Sequence, residues 1–286
     1  MPSPEPAPAP AAAETRACRN CGETLLGPFC WSCGQEDVDL HRPLKQLAQD
    51  AVGDLLNLDT RLLRTLGPLF FRPGFVIREY LSGRRVRFVP PLKMFLLASV
   101  IFFGLAALWP HDKMVFYRDS SPETPAPPGI QSSGEADSEF ERRIEGALPR
   151  VQENPAAFQE AAMANLSRAF FVLLPLFALL LKLFYWRRDH FYLDHLIFAL
   201  YYHAFAFLAL TLQMILERSW VPDWLGVSLS LLLWLWIFAS LAIALRKVYG
   251  GARWHTFLKL TGLLAIYFFA LVGTMVLMVM VTLWLF

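Results

Sequence analysis

Four cysteines stand close together near the start of the chain as two pairs of one form, Cys18-Arg-Asn-Cys21 and Cys30-Trp-Ser-Cys33, and there are no others. Two C-x2-C pairs at short range present four thiolates to a single tetrahedral ion, for which zinc is the usual occupant. Gly22 and Gly34 each follow the second Cys of a pair, where a tight knuckle needs backbone freedom, and Gly27-Pro28 supplies a turn between the knuckles. Four protein ligands close the coordination sphere, so the site is structural rather than catalytic. Iron is chemically allowed in the same thiolate set. Two disulfides conflict with the reducing side of the membrane on which topology places this segment, and a redox dithiol needs one pair only. Residues 16–37 thus read as a zinc ribbon. A ribbon this small folds because metal binding contributes on the order of 10 kcal/mol or more.

The elements that must carry this ribbon are set by composition. Apolar residues make up 56% of the 286-residue chain and charged residues only 17%, against roughly 25% charged in a soluble domain. The formal net charge of +2 gives no bulk electrostatic case for nucleic-acid binding. Residues 1–15 are nearly all Pro, Ala and Glu; they hold no signal-peptide core and read as a disordered tail.

Five apolar stretches approach or exceed the length a bilayer requires, about 20 residues. They are 91–109, 169–186, 196–216, 224–245 and 257–286, the last read as one tilted helix with an interfacial start. The expected fold is therefore an all-α integral membrane domain of about five transmembrane helices, preceded by interfacial amphipathic helices (38–90) and the ribbon. Basic residues fix the orientation. Arg61, Arg64, Arg72, Arg78, Arg84, Arg85, Arg87 and Lys93 precede the first span, Arg187 and Arg188 follow the second, and Arg246, Lys247 and Arg253 follow the fourth. These clusters fall on one side only if there are five spans. The N-terminus is then cytoplasmic and the C-terminus extracytoplasmic, with the 110–168 connection outside. Trp109, Tyr185, Trp186, Trp220, Trp224 and Trp284 read as interfacial anchors.

Between ribbon and first span, Leu44, Leu47, Ala51, Leu55, Leu58 and Leu62 recur at helical spacing, and a second amphipathic piece runs from Phe75 to Leu81 after Pro73-Gly74. Arg84, Arg85 and Arg87 read as topogenic charge, or more sharply as contacts to anionic lipid headgroups. The chain resembles an uncharacterised bacterial membrane family, domain of unknown function 3667. The resemblance rests on Cys18-x-Asn20-Cys21-Gly22, on Gly27-x-Phe29-Cys30-x-x-Cys33-Gly34-Gln35, and on Arg72-Pro73-Gly74-x-x-Ile77-Arg78-Glu79-Tyr80-Leu81-x-Gly83-Arg84-Arg85. Pro90-Pro91, Asp194-His195 and Tyr202-His203 also fit. It implies a bacterial inner-membrane location and no activity.

Ionisable residues inside spans are functional candidates by default. Asp194, His195, Tyr202, His203 and Gln213 are the candidates for a polar membrane site; no Asp or Glu lies within any span. His195 and His203 are offset by about 80° around one helix and cannot ligate one metal from that helix alone, so each His is equally a hydrogen-bonding residue between helices. There is no P-loop, H-E-x-x-H or G-x-S-x-G signature. The leading functional expectation is a non-enzymatic membrane scaffold or assembly protein whose cytoplasmic ribbon binds a protein partner through Arg19, Phe29 and Trp31. A small-solute or lipid transporter lined by the third span is the alternative, and a membrane enzyme acting on lipid headgroups comes third.

Overall fold

The computed structural model describes residues 16–37, 61–108, 151, 155–218 and 222–285. The expected tail (1–15), the first amphipathic helix up to residue 60 and most of the 110–168 connection lie outside the described residues. Among the described residues seven helices follow one another: α1 (Arg61–Phe71), α2 (Phe75–Leu81), α3 (Pro91–Leu108), α4 (Pro155–Phe184), α5 (Tyr192–Arg218), α6 (Asp223–Tyr249) and α7 (Arg253–Leu285). The described residues contain no strand, only two isolated bridges within the ribbon.

Four of these helices, α3, α5, α6 and α7, are long and apolar enough to cross a membrane. The remaining expected span, 169–186, overlaps the second half of α4, which begins earlier than its apolar run and ends at Phe184. Asn165 Nδ2 donates to Thr282 Oγ1 at 2.8 Å, and Phe184 lies against Gly262. Those two contacts make α4 and α7 antiparallel over about 28 Å, at 1.5 Å per residue. From Asn165 to Phe184, α4 is thus a partner of α7 in the bundle. Asn165, in a sequence that matches a glycosylation acceptor, is committed to this interhelical bond.

α5 is the central helix. It packs on α3, α4 and α6, and Phe198, Ala199, Tyr201, Ala204 and Phe205 along it are buried. Its contacts run parallel to α3 and antiparallel to α4 and α6, so the chain passes back and forth. Phe207 gathers the rings of Phe95, Phe102, Phe103 and Phe170 at centroid distances of 5.1–5.8 Å. By contrast α6 and α7 present Leu231, Leu235, Phe238, Phe268, Phe269 and Val276 outward, which is how a helix surrounded by acyl chains is built.

The hairpin formed by α1 and α2 buries its apolar faces against α5 and α6. Trp236 Nε1 donates to the Phe70 carbonyl at 3.0 Å, and Trp236 lies about 20 Å along α6 from its Tyr249 end. Gly74, at the turn, has φ +72°, and a Cβ there would come within 2.8 Å of the Ala244 Cα. Only glycine allows that approach and that backbone. The amphipathic pattern of Phe75–Leu81 therefore reports burial on two spanning helices: Val76, Ile77 and Tyr80 are buried.

Candidate metal centre and its docking face

The two cysteine pairs form two knuckles with one hydrogen-bond pattern. Cys18 N donates to Glu23 O at 2.7 Å and Gly22 N to Cys18 O at 2.8 Å; Cys30 N donates to Gln35 O and Gly34 N to Cys30 O, both at 2.8 Å. Gly22 and Gly34 take φ of +81° and +71°, the left-handed backbone their place after the second Cys requires. The bridges Ala17–Thr24 and Phe29–Glu36 close each knuckle.

This backbone brings all four Sγ atoms within 4.8 Å of one another, with Cys18–Cys33 at 3.6 Å and Cys21–Cys30 at 3.5 Å. A tetrahedron with metal–sulfur bonds of about 2.3 Å has edges of about 3.8 Å. The donor set therefore fits one four-coordinate ion. It is the only group of three or more His, Cys, Asp and Glu ligands with such geometry among the described residues.

The ribbon is not a free appendage. Gln35 Nε2 donates to the Gly83 carbonyl at 2.8 Å, and Arg85 N donates back to Gln35 Oε1 at 3.2 Å. The Arg19 side chain lies across Gly83, whose φ is +91°. So the Gly34-Gln35 element of the ribbon and the Gly83-Arg84-Arg85 element before the first span, far apart in sequence, meet in space. The sequence marks Gln35 and Gly83 only by their place in the two motifs, and nothing local in it pairs them. Arg19, expected on a partner surface, sits on this docking face. Phe29 and Trp31 stand out from the ribbon at 59% and 67% exposure, with Leu26 at 84%.

Of the basic cluster, Arg84 is held by Glu79 through Nε–Oε2 at 2.6 Å and Nη2–Oε1 at 2.8 Å. The bond from Arg84 keeps the Glu79 carboxyl below its ordinary range, against the opposing effect of its burial. The Arg85 guanidinium stacks 5.6 Å over Tyr80. Arg87 is exposed.

The polar candidates of α5 fall into two groups: Asp194 and His195 gather around His190 and Tyr249, with the His190 ring 6.1 Å from that of His195 and 5.3 Å from that of Tyr249, whereas His203 belongs to a second group with Tyr267. Asp194 Oδ2 accepts from Phe191 N at 3.0 Å, reaching back to the residue before the helix as an N-terminal cap, and stands 3.4 Å from His190 Nδ1. His195 is fully buried with Nδ1 2.7 Å from Tyr249 OH on α6. Tyr202 OH donates to Ile237 O, also on α6, at 3.0 Å. His203 turns the other way. Its Nδ1 meets the Ala199 carbonyl at 2.8 Å, and since a carbonyl only accepts, Nδ1 carries the proton and the neutral ring's Nε2 accepts from Tyr267 OH at 2.8 Å. Gln213 is buried further along the helix. Tyr185, expected as a headgroup anchor, is buried instead: its ring stacks on Tyr249 at 4.3 Å with Lys259 Nζ 4.4 Å above it.

Residues 59–103 match the family model described as Protein of unknown function (DUF3667). The match spans α1, α2, the docking loop and most of α3; of the motifs that carry the resemblance it includes the one over 72–85 and Pro90-Pro91, and it covers neither the ribbon nor α5. No curated protein and no solved structure matches the chain.

Proposed function

We propose that the protein is a non-enzymatic scaffold or assembly factor of the bacterial inner membrane, whose zinc-bearing ribbon holds a cytoplasmic protein partner. The observation that carries this reading is the two-sidedness of the ribbon. One face, Arg19 and Gln35, is fixed to the chain's own docking loop, while Leu26, Phe29 and Trp31 are exposed on a backbone set by four cysteines. Exposed aromatic side chains on a rigid support are the usual anchors of a protein interface. Zinc is favoured over iron because a closed four-thiolate site with no open position is its common structural form.

The topology in this reading has five crossings, with α4 counted as one, the ribbon in the cytoplasm and residue 286 outside. Its support is that Arg188 lies near Gly251 and Lys247 reaches the Pro73 carbonyl at 3.5 Å. The basic connections and the turn between α1 and α2 thus gather at one end of the bundle, as the positive-inside rule requires. Arg87 is the residue of the basic cluster left to meet anionic headgroups. The test is a Phe29→Ala/Trp31→Ala variant purified from its native membranes. It should keep its zinc and lose a partner that wild type retains at matched protein level. Retention of the same partner by the variant would refute the assigned surface.

A further inference from the structure

The docking face of the ribbon and the loop it grips form a mechanical link between the metal centre and the membrane bundle. We propose that Gln35 is a clasp through which metal occupancy of the ribbon holds the 82–90 loop in place, so that loss of metal releases the loop at the start of the first span. The proposal takes the zinc occupant as read above and adds what that zinc controls.

The geometry supports a clasp at each step. Gln35 follows Cys33-Gly34, and its carbonyl accepts from Cys30 N at 2.8 Å, so the knuckle that would bind the metal also fixes the Gln35 backbone. Gln35, 9% exposed as a residue, then spends both ends of its side-chain amide on the loop, donating to Gly83 O and accepting from Arg85 N. The loop passes this restraint on. Arg84 is held by Glu79 of α2, Val89 N donates to Thr65 Oγ1 of α1 at 2.9 Å, and Tyr201 OH of α5 donates to Val89 O at 2.7 Å. The bonds at Val89 stand two residues before the first residue of α3. Without metal the knuckles lose the cross-link that orders them, and Gln35 loses its fixed position.

Coupling of this kind is reciprocal: whatever the metal does for the loop, the loop does for metal affinity, by the same factor. Two amide hydrogen bonds of ordinary strength make that factor about tenfold. Gly83 is the sharper probe because it lies outside the ribbon. A Cβ at Gly83 would stand 2.8 Å from Arg19 Cδ and 2.9 Å from Arg19 Cβ, so the ribbon must lift.

The experiment uses the full chain in lipid nanodiscs, with zinc affinity read by competition against a fluorescent chelator and amide exchange followed by mass spectrometry. Wild type is expected to hold one zinc, and its removal should speed exchange of the Arg85 amide along with that of 16–37. Gly83→Ala and Gln35→Ala should each weaken zinc binding about tenfold. If Gly83→Ala does not fold, Gln35→Glu, which keeps the acceptor for Arg85 N and removes the donor to Gly83 O, should weaken zinc in the same sense. Wild-type zinc affinity in the folded variants overturns the clasp and leaves the zinc assignment standing. Unchanged exchange at 83–88 after chelation does the same. A wild type that binds no zinc overturns the assignment, and the clasp with it.

Discussion

Replacing Gly74 by alanine should detach the α1–α2 hairpin from α6, for two reasons that can be separated. Gly74 has φ +72°, which costs an L-residue roughly 1–2 kcal/mol. A Cβ would also stand 2.8 Å from Ala244 Cα and 3.2 Å from Ala244 O, both backbone atoms that no rotamer change can move. Overpacking of that sort adds about 1–3 kcal/mol, for a total of roughly 2–5 kcal/mol. Asparagine tolerates the left-handed backbone but still carries a Cβ, so Gly74→Asn isolates the second contribution. Thermal unfolding of the purified protein in detergent reads both, at about 2–4 °C per kcal/mol for a chain of this size. Gly74→Ala should melt lowest and Gly74→Asn clearly below wild type. Ala244→Gly should rescue either variant only in small part, because it removes the 3.3 Å contact to the Ala244 Cβ and leaves the two closer ones, to the main chain, in place. Gly104→Ala, with open space around its Cβ, should be neutral or slightly stabilising. A Gly74→Asn protein that melts with wild type would show that the hairpin does not approach α6 as closely as described.

Other consequences follow from single contacts. Trp236→Phe removes the indole donor to Phe70 O and should cost about 1 kcal/mol, seen as a lower melting temperature with the spans intact. Tyr267→Phe leaves His203 Nε2 without its donor and should destabilise by roughly 1–3 kcal/mol; an unchanged melt would remove His203 from the packing account. Glu79 has a lowered carboxyl pKa in the folded chain, so the unfolded state binds the proton more readily. Its pairing with Arg84 is then fully present above the ordinary value of 4.5 and is lost as pH falls through the lowered one. The difference in melting temperature between wild type and Glu79→Gln should accordingly shrink below about pH 4.5.

The parts legible in the sequence were those with a local repeat or a length signature. Cysteine spacing and the glycines after Cys21 and Cys33 carry the knuckles, because a metal site built from near neighbours writes its geometry into adjacent residues. Long apolar runs carry α3, α5, α6 and α7, and Pro73-Gly74 marks the start of α2. The sequence also separates His195 from His203 by their angular offset, and the structure gives them different partners, Tyr249 and Tyr267. Contacts made once between distant segments leave no such trace. The Gln35–Gly83 bond is of this type, as is the seat of Gly74 on Ala244. Helical periodicity shows that Phe75–Leu81 has an apolar face, but not whether lipid or protein covers it. Tyr185 stands at a span end, where aromatic residues usually meet headgroups; here a Tyr249 ring is already in place to stack on it.

The most direct test of the central claim, that a metal-built ribbon is the recognition element, is a quantitative pull-down from native membranes. Wild type would be compared with Cys18→Ser/Cys21→Ser at matched protein level, with metal content measured on both. The double variant should lose its zinc and, with it, a specific cytoplasmic partner that wild type retains. Recovery of the same proteins by a metal-free variant would contradict the claim.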